Sequence, residues 1–188
     1  MNSFYTEDEL KKLNLKSYGK NVLISKKCSI YSPETLEIAS NVRIDDFCII
    51  SGNIKIGNYV HIGAFCALYG KFGIQIGNFC GISPRSSLFS ATDDFSGDYM
   101  ISPMVPEELV RVHGGKITME NYSQIGANST VMPDITLKEG AVSGACSFIN
   151  KNLEEWTINK GIPVRFYKNR SRNLKNLALQ VEGGKYYA

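Results

Sequence analysis

Between Ile54 and Leu88 the chain keeps a period of six. Ile56, Ile62 and Leu68 fall six apart and, after a slip of two residues, so do Ile76, Ile82 and Leu88. A small or β-branched residue stands four positions after most of these, at Val60, Cys66, Cys80 and Ser86. Glycine often follows the aliphatic directly, as at Gly57, Gly63 and Gly77. The beat reaches back through Ile24, Ile30, Ile38, Ile44 and Ile50, and it resumes at Met119, Ile125, Val131, Leu137, Ser143 and Ile149. Six is the period of neither an α-helix nor a plain alternating strand. It fits short strands separated by turns that each rotate the chain by the same angle, the repeat of a parallel β-helix.

At 188 residues the chain is long enough for one domain with a full core. Its 21 basic and 18 acidic residues are nearly balanced, so no broad nucleic-acid-binding surface is implied. Five cysteines are an odd number without metal-type pairs. Cys28, Cys48, Cys66 and Cys80 fall in the small inward slot of the repeat and read as buried, reduced thiols, which suit a cytoplasmic protein. No apolar run approaches the roughly 20 residues of a membrane span, and MNSFYTEDELKK has no signal-peptide pattern.

Thr6 followed by Glu7, Asp8 and Glu9 predicts a short capped helix, and residues 1–20 are expected to cover the open end of the solenoid. Coils are expected over 21–88 and 117–150. The beat breaks for residues 89–116, too many for a plain connection, and a loop of this length inside a compact repeat points to a lid or binding loop. Residues 151–188 form a tail in which Leu174, Leu177, Ala178 and Val181 give a helical stripe over 171–182.

The hexapeptides IGNYVH, IGAFCA, IGNFCG and IGANST resemble those of the hexapeptide-repeat acyltransferases, in particular the maltose and galactoside O-acetyltransferases and the sugar acetyltransferases of O-antigen and other surface polysaccharides. The resemblance covers about residues 20–168. It implies an all-β, left-handed parallel β-helix with a protruding loop, short terminal helices and assembly as a homotrimer. It also implies transfer of an acetyl group from acetyl-CoA to a hydroxyl or amine of a sugar or nucleotide-sugar, with no metal, nucleic acid or membrane insertion. A zinc enzyme on the same frame would need three histidine ligands, and the sequence holds two histidines. A non-catalytic binding scaffold is the other reading of the fold.

Acyl transfer needs a proton acceptor and oxyanion donors, and histidine suits the first role because its pKa lies near neutrality. His61 ends a hexapeptide whose inward residues are Ile56 and Val60, so it points outward, with Gly81 one coil on leaving room beside it. His113 lies at the foot of the long loop. In the maltose and galactoside branch a histidine follows an Ala-Thr pair early in that loop; here Ser90-Ala91-Thr92 is followed by Asp93. The base is therefore His61 or His113, with Asp93 in an orienting role, or base catalysis is weak and an amine acceptor is favoured. Asp45, Asp46, Arg85 and Asp94 are candidate acceptor contacts, with Ser83 beside Arg85 lining the same cleft. For the coenzyme, Gly126, Ala127, Gly144 and Ser147 are small enough to admit a pantetheine arm. Asn150, Lys151 and Arg165, the last in a GIPVR turn, match the positions at which the resemblance implies contacts to the coenzyme end, and Lys151 and Arg165 could pair with its phosphates.

Overall fold

The computed structural model describes residues 3–183, so the first two residues and the last five of the expected tail lie outside it. The hexad beat becomes a parallel β-helix of three faces. Face A stacks Val22–Ile24, Val42–Ile44, Val60–Ile62, Gly81–Ile82, Gln124–Ile125, Val142–Ser143 and Thr157–Lys160. Face B stacks Ser29–Tyr31, the first half of Ile49–Ile56, the first half of Ala67–Ile76, Ser87–Phe89, Thr130–Val131 and Phe148–Ile149. Face C takes Ser17–Tyr18, Leu36–Ile38, the second halves of the two long strands, Ile117–Met119 and Thr136–Leu137. Within the three faces every pairing between coils is parallel and holds like positions in register, so that Ile44, Ile62 and Ile82 stack on one another. That register explains the sequence pattern: the aliphatic of each hexapeptide points into a shared interior, where Ile24, Ile44, Ile62, Leu68, Leu88, Ile117, Ile125 and Leu137 are fully buried.

Three corners join the faces, and each has residues in left-handed backbone, Ser32, Gly52, Gly73 and Asp134 at the corner between B and C. At the corner between C and A the positive-φ residues Tyr59, Phe79, Tyr122 and Trp156 stack ring on ring, with centroids 4.6, 5.5 and 5.9 Å apart. Beside them the Asn58, Asn78 and Asn121 side chains accept from the backbone N–H groups of Ser40, Asn58 and Asn78 in the coil before. This satisfies turn donors that would otherwise need water. At the corner between A and B the equivalent residues are Phe47, Phe65, Arg85, Asn128 and Cys146.

The expected terminal elements form, with adjusted limits. Helix α1 is Glu7–Lys11, opened by a reciprocal Thr6–Glu9 capping box, and it buries Leu10 against the first coil. The coils run past residue 150: Leu153 bridges Leu137 on face C, and Thr157–Lys160 continues face A. The chain then reverses through Gly161 and the cis Ile162–Pro163 bond into Arg165–Asn169, an exposed strand antiparallel to Thr157–Lys160. Helix α2, Leu174–Glu182, follows. It is anchored near the C–A corner by Lys175 on Glu139 (2.9 Å) and by Arg170, which donates to the carbonyls of Tyr122 and Gly140. The expected loop is a built element. Ala91–Asp93 pairs antiparallel with Val112–Gly114, setting Thr92 opposite His113, and a short 3₁₀ turn at Glu107–Leu109 closes its far end. Among the described residues no helix is long and apolar enough to cross a membrane.

Candidate active site

The candidate residues fall into two groups, on two different corners. The first group lines the A–B corner. The register places Asp45, Gly63, Ser83, Gly126 and Gly144 in one column, because each backbone N–H donates to the carbonyl of the inward aliphatic, or of Ser143 or Asn159, one coil further on. Behind that column runs a second one of inward thiols and hydroxyls. Cys28, Cys48 and Cys66 donate to the carbonyls of Asp45, Gly63 and Ser83 at 3.0, 3.2 and 3.3 Å. Ser86 and Ser129 continue the series to Gly126 and Gly144 at 3.1 and 3.2 Å. The inner small slot thus fixes the backbone on which the outer site residues stand.

His61 lies on face A beside this corner, more than half exposed, opposite Arg43 in one coil and Gly81 in the next. Its Nε2 is 2.8 Å from Asp45 Oδ2, and Arg43 Nε is 2.7 Å from Asp45 Oδ1. Partial burial pushes the Asp45 carboxyl up, but the hydrogen bonds from Arg43 and His61 outweigh it and hold the group below the usual carboxylate range. The Asp45 carboxylate, expected to meet substrate, instead orients the imidazole. A Cβ on Gly81 would meet nothing nearer than Gln124 Cγ at 3.8 Å, so the space beside His61 is open. Asp46 accepts from Ser3 and Ser25 and pairs with Lys27 at 2.8 Å, tying the N-terminal arm to the corner. Those bonds, Lys27's first, hold its carboxyl low.

Further along the same corner Gly126 and Gly144 stack so closely that a Cβ on Gly126 would stand 2.5 Å from the Ala145 nitrogen. Ser147, an expected coenzyme contact, turns its side chain inward. Its side chain is buried, donates to the Gly144 carbonyl and accepts from the Gly161 N–H, because its position in the hexapeptide is an inward one. Gly126, Ala127 and Gly144 do edge the corner. The Gly161–Arg165 turn closes it three coils beyond Ser83, with Gly161 on Ser147 and Val164 on the Phe148 carbonyl.

The second group lies across face B, at the B–C corner and on the hairpin that rises from it. Asp93 is exposed and lines a cavity of about 830 Å³ with Tyr69, Lys71, Ile101, Val110 and Val112. It makes no side-chain contact with either histidine; the partner of His113 is Asp94, at 3.5 Å. Asp94 is buried and accepts from the Ser96 N–H at 2.6 Å. Ser96 and then His113 keep its carboxyl below the usual range. Its side chain is taken up by Ser96 and His113, and it does not line the cavity that Asp93 lines. Asn150 and Lys151 sit at the far end of the same B–C corner, between Phe148–Ile149 and Leu153, and not beside Arg165. Tyr69 and Lys71 carry no motif; the widened corner at Gly70 and Gly73 is the one sign of them in the sequence.

Residues 36–70 match the family profile for the bacterial transferase hexapeptide (six repeats). A dTDP-4-amino-4,6-dideoxy-D-glucose acyltransferase of Escherichia coli is 39% identical over 178 residues, 93% of each chain. AntD, an N-acyltransferase from Bacillus cereus solved with dTDP and 3-hydroxybutyryl-CoA, is 45% identical over 98% of this chain and 99% of its own, with a TM-score of 0.95. A maltose O-acetyltransferase from Clostridium difficile, at 21% identity and a TM-score of 0.56 over 88% of this chain and 75% of its own, shares the fold. AntD has also been solved as variants of one serine and of one aspartate whose numbers differ by ten. Ser83 and Asp93 are the one pair in this sequence with a serine ten positions before an aspartate.

Proposed function

Since this chain belongs to the bacterial hexapeptide-repeat acyltransferases, we propose that it moves an acyl group from coenzyme A to the 4-amino group of a dTDP-linked 4-amino-4,6-dideoxy sugar. The observation that carries the choice of acceptor is the near-full-length likeness to an enzyme of that name, together with an aspartate where the O-acetylating branch has a histidine. A sugar hydroxyl must lose its proton as it attacks. An amine attacks through its lone pair and gives up its proton to a nearby base, a role a carboxylate can fill.

The roles follow from that chemistry. Asp93 receives the proton of the sugar ammonium. The Ser83 hydroxyl hydrogen-bonds the amine or the oxygen of the tetrahedral intermediate. His61, oriented by Asp45, is a further proton acceptor at the Ser83 end, and His113 with Asp94 flanks Asp93. The amine nitrogen bonds the thioester carbon, the carbon–sulfur bond breaks, and the thiolate leaves with a proton. Gly126, Ala127 and Gly144 edge the path of the pantetheine arm toward Arg165.

One chain cannot complete this arrangement. Ser83 and Asp93 stand on opposite sides of face B, roughly 20 Å of extended chain apart. A cyclic trimer that sets the A–B corner of one subunit against the B–C corner of the next supplies both, and it also returns Lys151 to the side of Arg165. We infer this assembly, and a cytoplasmic setting where coenzyme A thioesters are made. The test is direct: incubate the protein with dTDP-4-amino-4,6-dideoxyglucose and either acetyl-CoA or 3-hydroxybutyryl-CoA, and follow thiol release. Release that depends on the amino sugar is expected. Coenzyme binding without release for any amino sugar or hydroxyl sugar would favour the scaffold reading.

A further inference from the structure

The geometry points to Arg43 as a positioning residue for the acyl transfer: braced by the N-terminal arm, it acts on His61 through Asp45. This rests on the proton-acceptor role given to His61 above and extends it to the residue behind Asp45.

The Asp45 carboxylate has two oxygens, and each is taken. Oδ1 accepts from Arg43 Nε at 2.7 Å, and Oδ2 faces His61 Nε2 at 2.8 Å. A carboxylate oxygen at that distance calls for a donor. In a neutral ring the proton therefore sits on Nε2, and the lone pair that can take another is on Nδ1. Asp45 sets the tautomer, and Arg43 sets the orientation of Asp45. The carboxylate is the most buried of the three groups, and the two side chains it joins are each more than half exposed.

Arg43 also stands directly beside His61. The two are register partners on adjacent coils of face A, with backbones about 4.8 Å apart. A guanidinium at that spacing opposes a second positive charge on the ring, and by neutralising Asp45 it weakens the pull of the carboxylate on a further proton. The surroundings add little to this balance. The coil after His61 presents Gly81, and at the corner Lys27 and Asp46 are paired with each other at 2.8 Å.

The arm holds Arg43 in place. An exposed arginine samples many rotamers, but Arg43 Cζ lies 5.2 Å from the centroid of the Phe4 ring, a cation–π contact. Phe4 is itself fixed, because it bridges Ser25 in antiparallel fashion. The Tyr5 N–H donates to the Ile24 carbonyl at 2.9 Å, and the Lys26 N–H donates to the Ser3 carbonyl at 2.8 Å. In that arm Tyr5 packs against the core and Phe4 against Arg43, so the two neighbours divide capping from bracing.

The experiment follows thiol release against pH for the wild type, Arg43→Gln, Phe4→Leu, His61→Gln and the double variant, with melting temperatures beside it. Arg43→Gln is expected to lower kcat by roughly three- to tenfold, to leave KM for acyl-CoA unchanged and to move the acid limb of the profile to higher pH. Phe4→Leu is expected to move the limb the same way by less. On the His61→Gln background Arg43→Gln is expected to change neither rate nor profile. A folded Arg43→Gln protein with the wild-type profile overturns the proposal, and so does a loss that persists undiminished in the double variant. The His61 ring-proton resonance, assigned against His61→Gln, is also titrated by NMR without substrate and is expected to titrate at higher pH in Arg43→Gln. A wild type that releases no thiol with any amino sugar defeats the acceptor reading. The ring titration then decides the role of Arg43 by itself: a moved curve upholds the coupling, and an unmoved one overturns it.

Discussion

Single residues set the chemistry, and they differ in how far they can be read in advance. Ser83→Ala and Asp93→Asn should each lower kcat by about a hundredfold while coenzyme binding by calorimetry stays within a factor of two or three. His61→Gln should cost less, because it is a second acceptor. Equal losses for His61→Gln and Asp93→Asn would return the base to the imidazole. The hexad register alone makes His61 outward and puts Gly81 beside it, and both hold. The partner of each histidine could not be read this way, since Asp45 reaches His61 from a turn sixteen residues away and Asp94, not Asp93, turns inward to His113. A residue-scale pH effect belongs to the cap. Lys26 and the Thr6 N–H hold the Glu9 carboxyl down at about 2, against an ordinary 4.5. A depressed acid stabilises the fold above its unfolded pKa, and that contribution is lost as the pH falls toward the folded value. Acid unfolding followed by circular dichroism should therefore separate wild type from Glu9→Gln most clearly above about pH 4.5. The two curves should converge once the pH falls below about 2, where Glu9 is protonated in the folded protein as well.

At the scale of elements, the coils were legible and the corners only in part. The inward aliphatics announce the strands because one position in six must be buried on every face. The hairpin of Ala91–Asp93 and Val112–Gly114 was visible only as a break in the beat, since its two strands are short and one carries no apolar alternation. The coil after Ile149 was missed because Leu153 and Val164 fill the interior there without continuing the beat of Leu137, Ser143 and Ile149. The inner column behind the A–B corner offers a test of packing. Buried Ser129 donates to the Gly144 carbonyl and accepts from the Ser147 N–H at 3.1 Å. Ser129→Ala leaves the Ser147 N–H unpaired, while the Gly144 carbonyl keeps the Ser147 hydroxyl, and should destabilise the protein by about 1–3 kcal/mol in denaturant titration. Ser129→Cys should cost less, because a thiol fills the same slot at Cys28, Cys48 and Cys66.

For the whole molecule the decisive question is assembly. Three 20.9 kDa chains make a particle of about 63 kDa, and light scattering should find it. A stricter test uses two inactive parents. In trimers reassembled from equal amounts of Ser83→Ala and Asp93→Asn chains, a shared site draws its serine from one subunit and its aspartate from the next, so about a quarter of the sites should be intact. If both residues came from one chain, mixing would restore nothing. The stacking also has an evolutionary corollary. From Ser83 to the Gly161 turn the corner climbs three coils, about 14 Å at the spacing of parallel strands. That interval works as a ruler for the donor: splicing one whole coil in or out would leave each hydrophobic layer satisfied, yet shift the basic terminus by a single graduation and present the acyl carbon too early or too late.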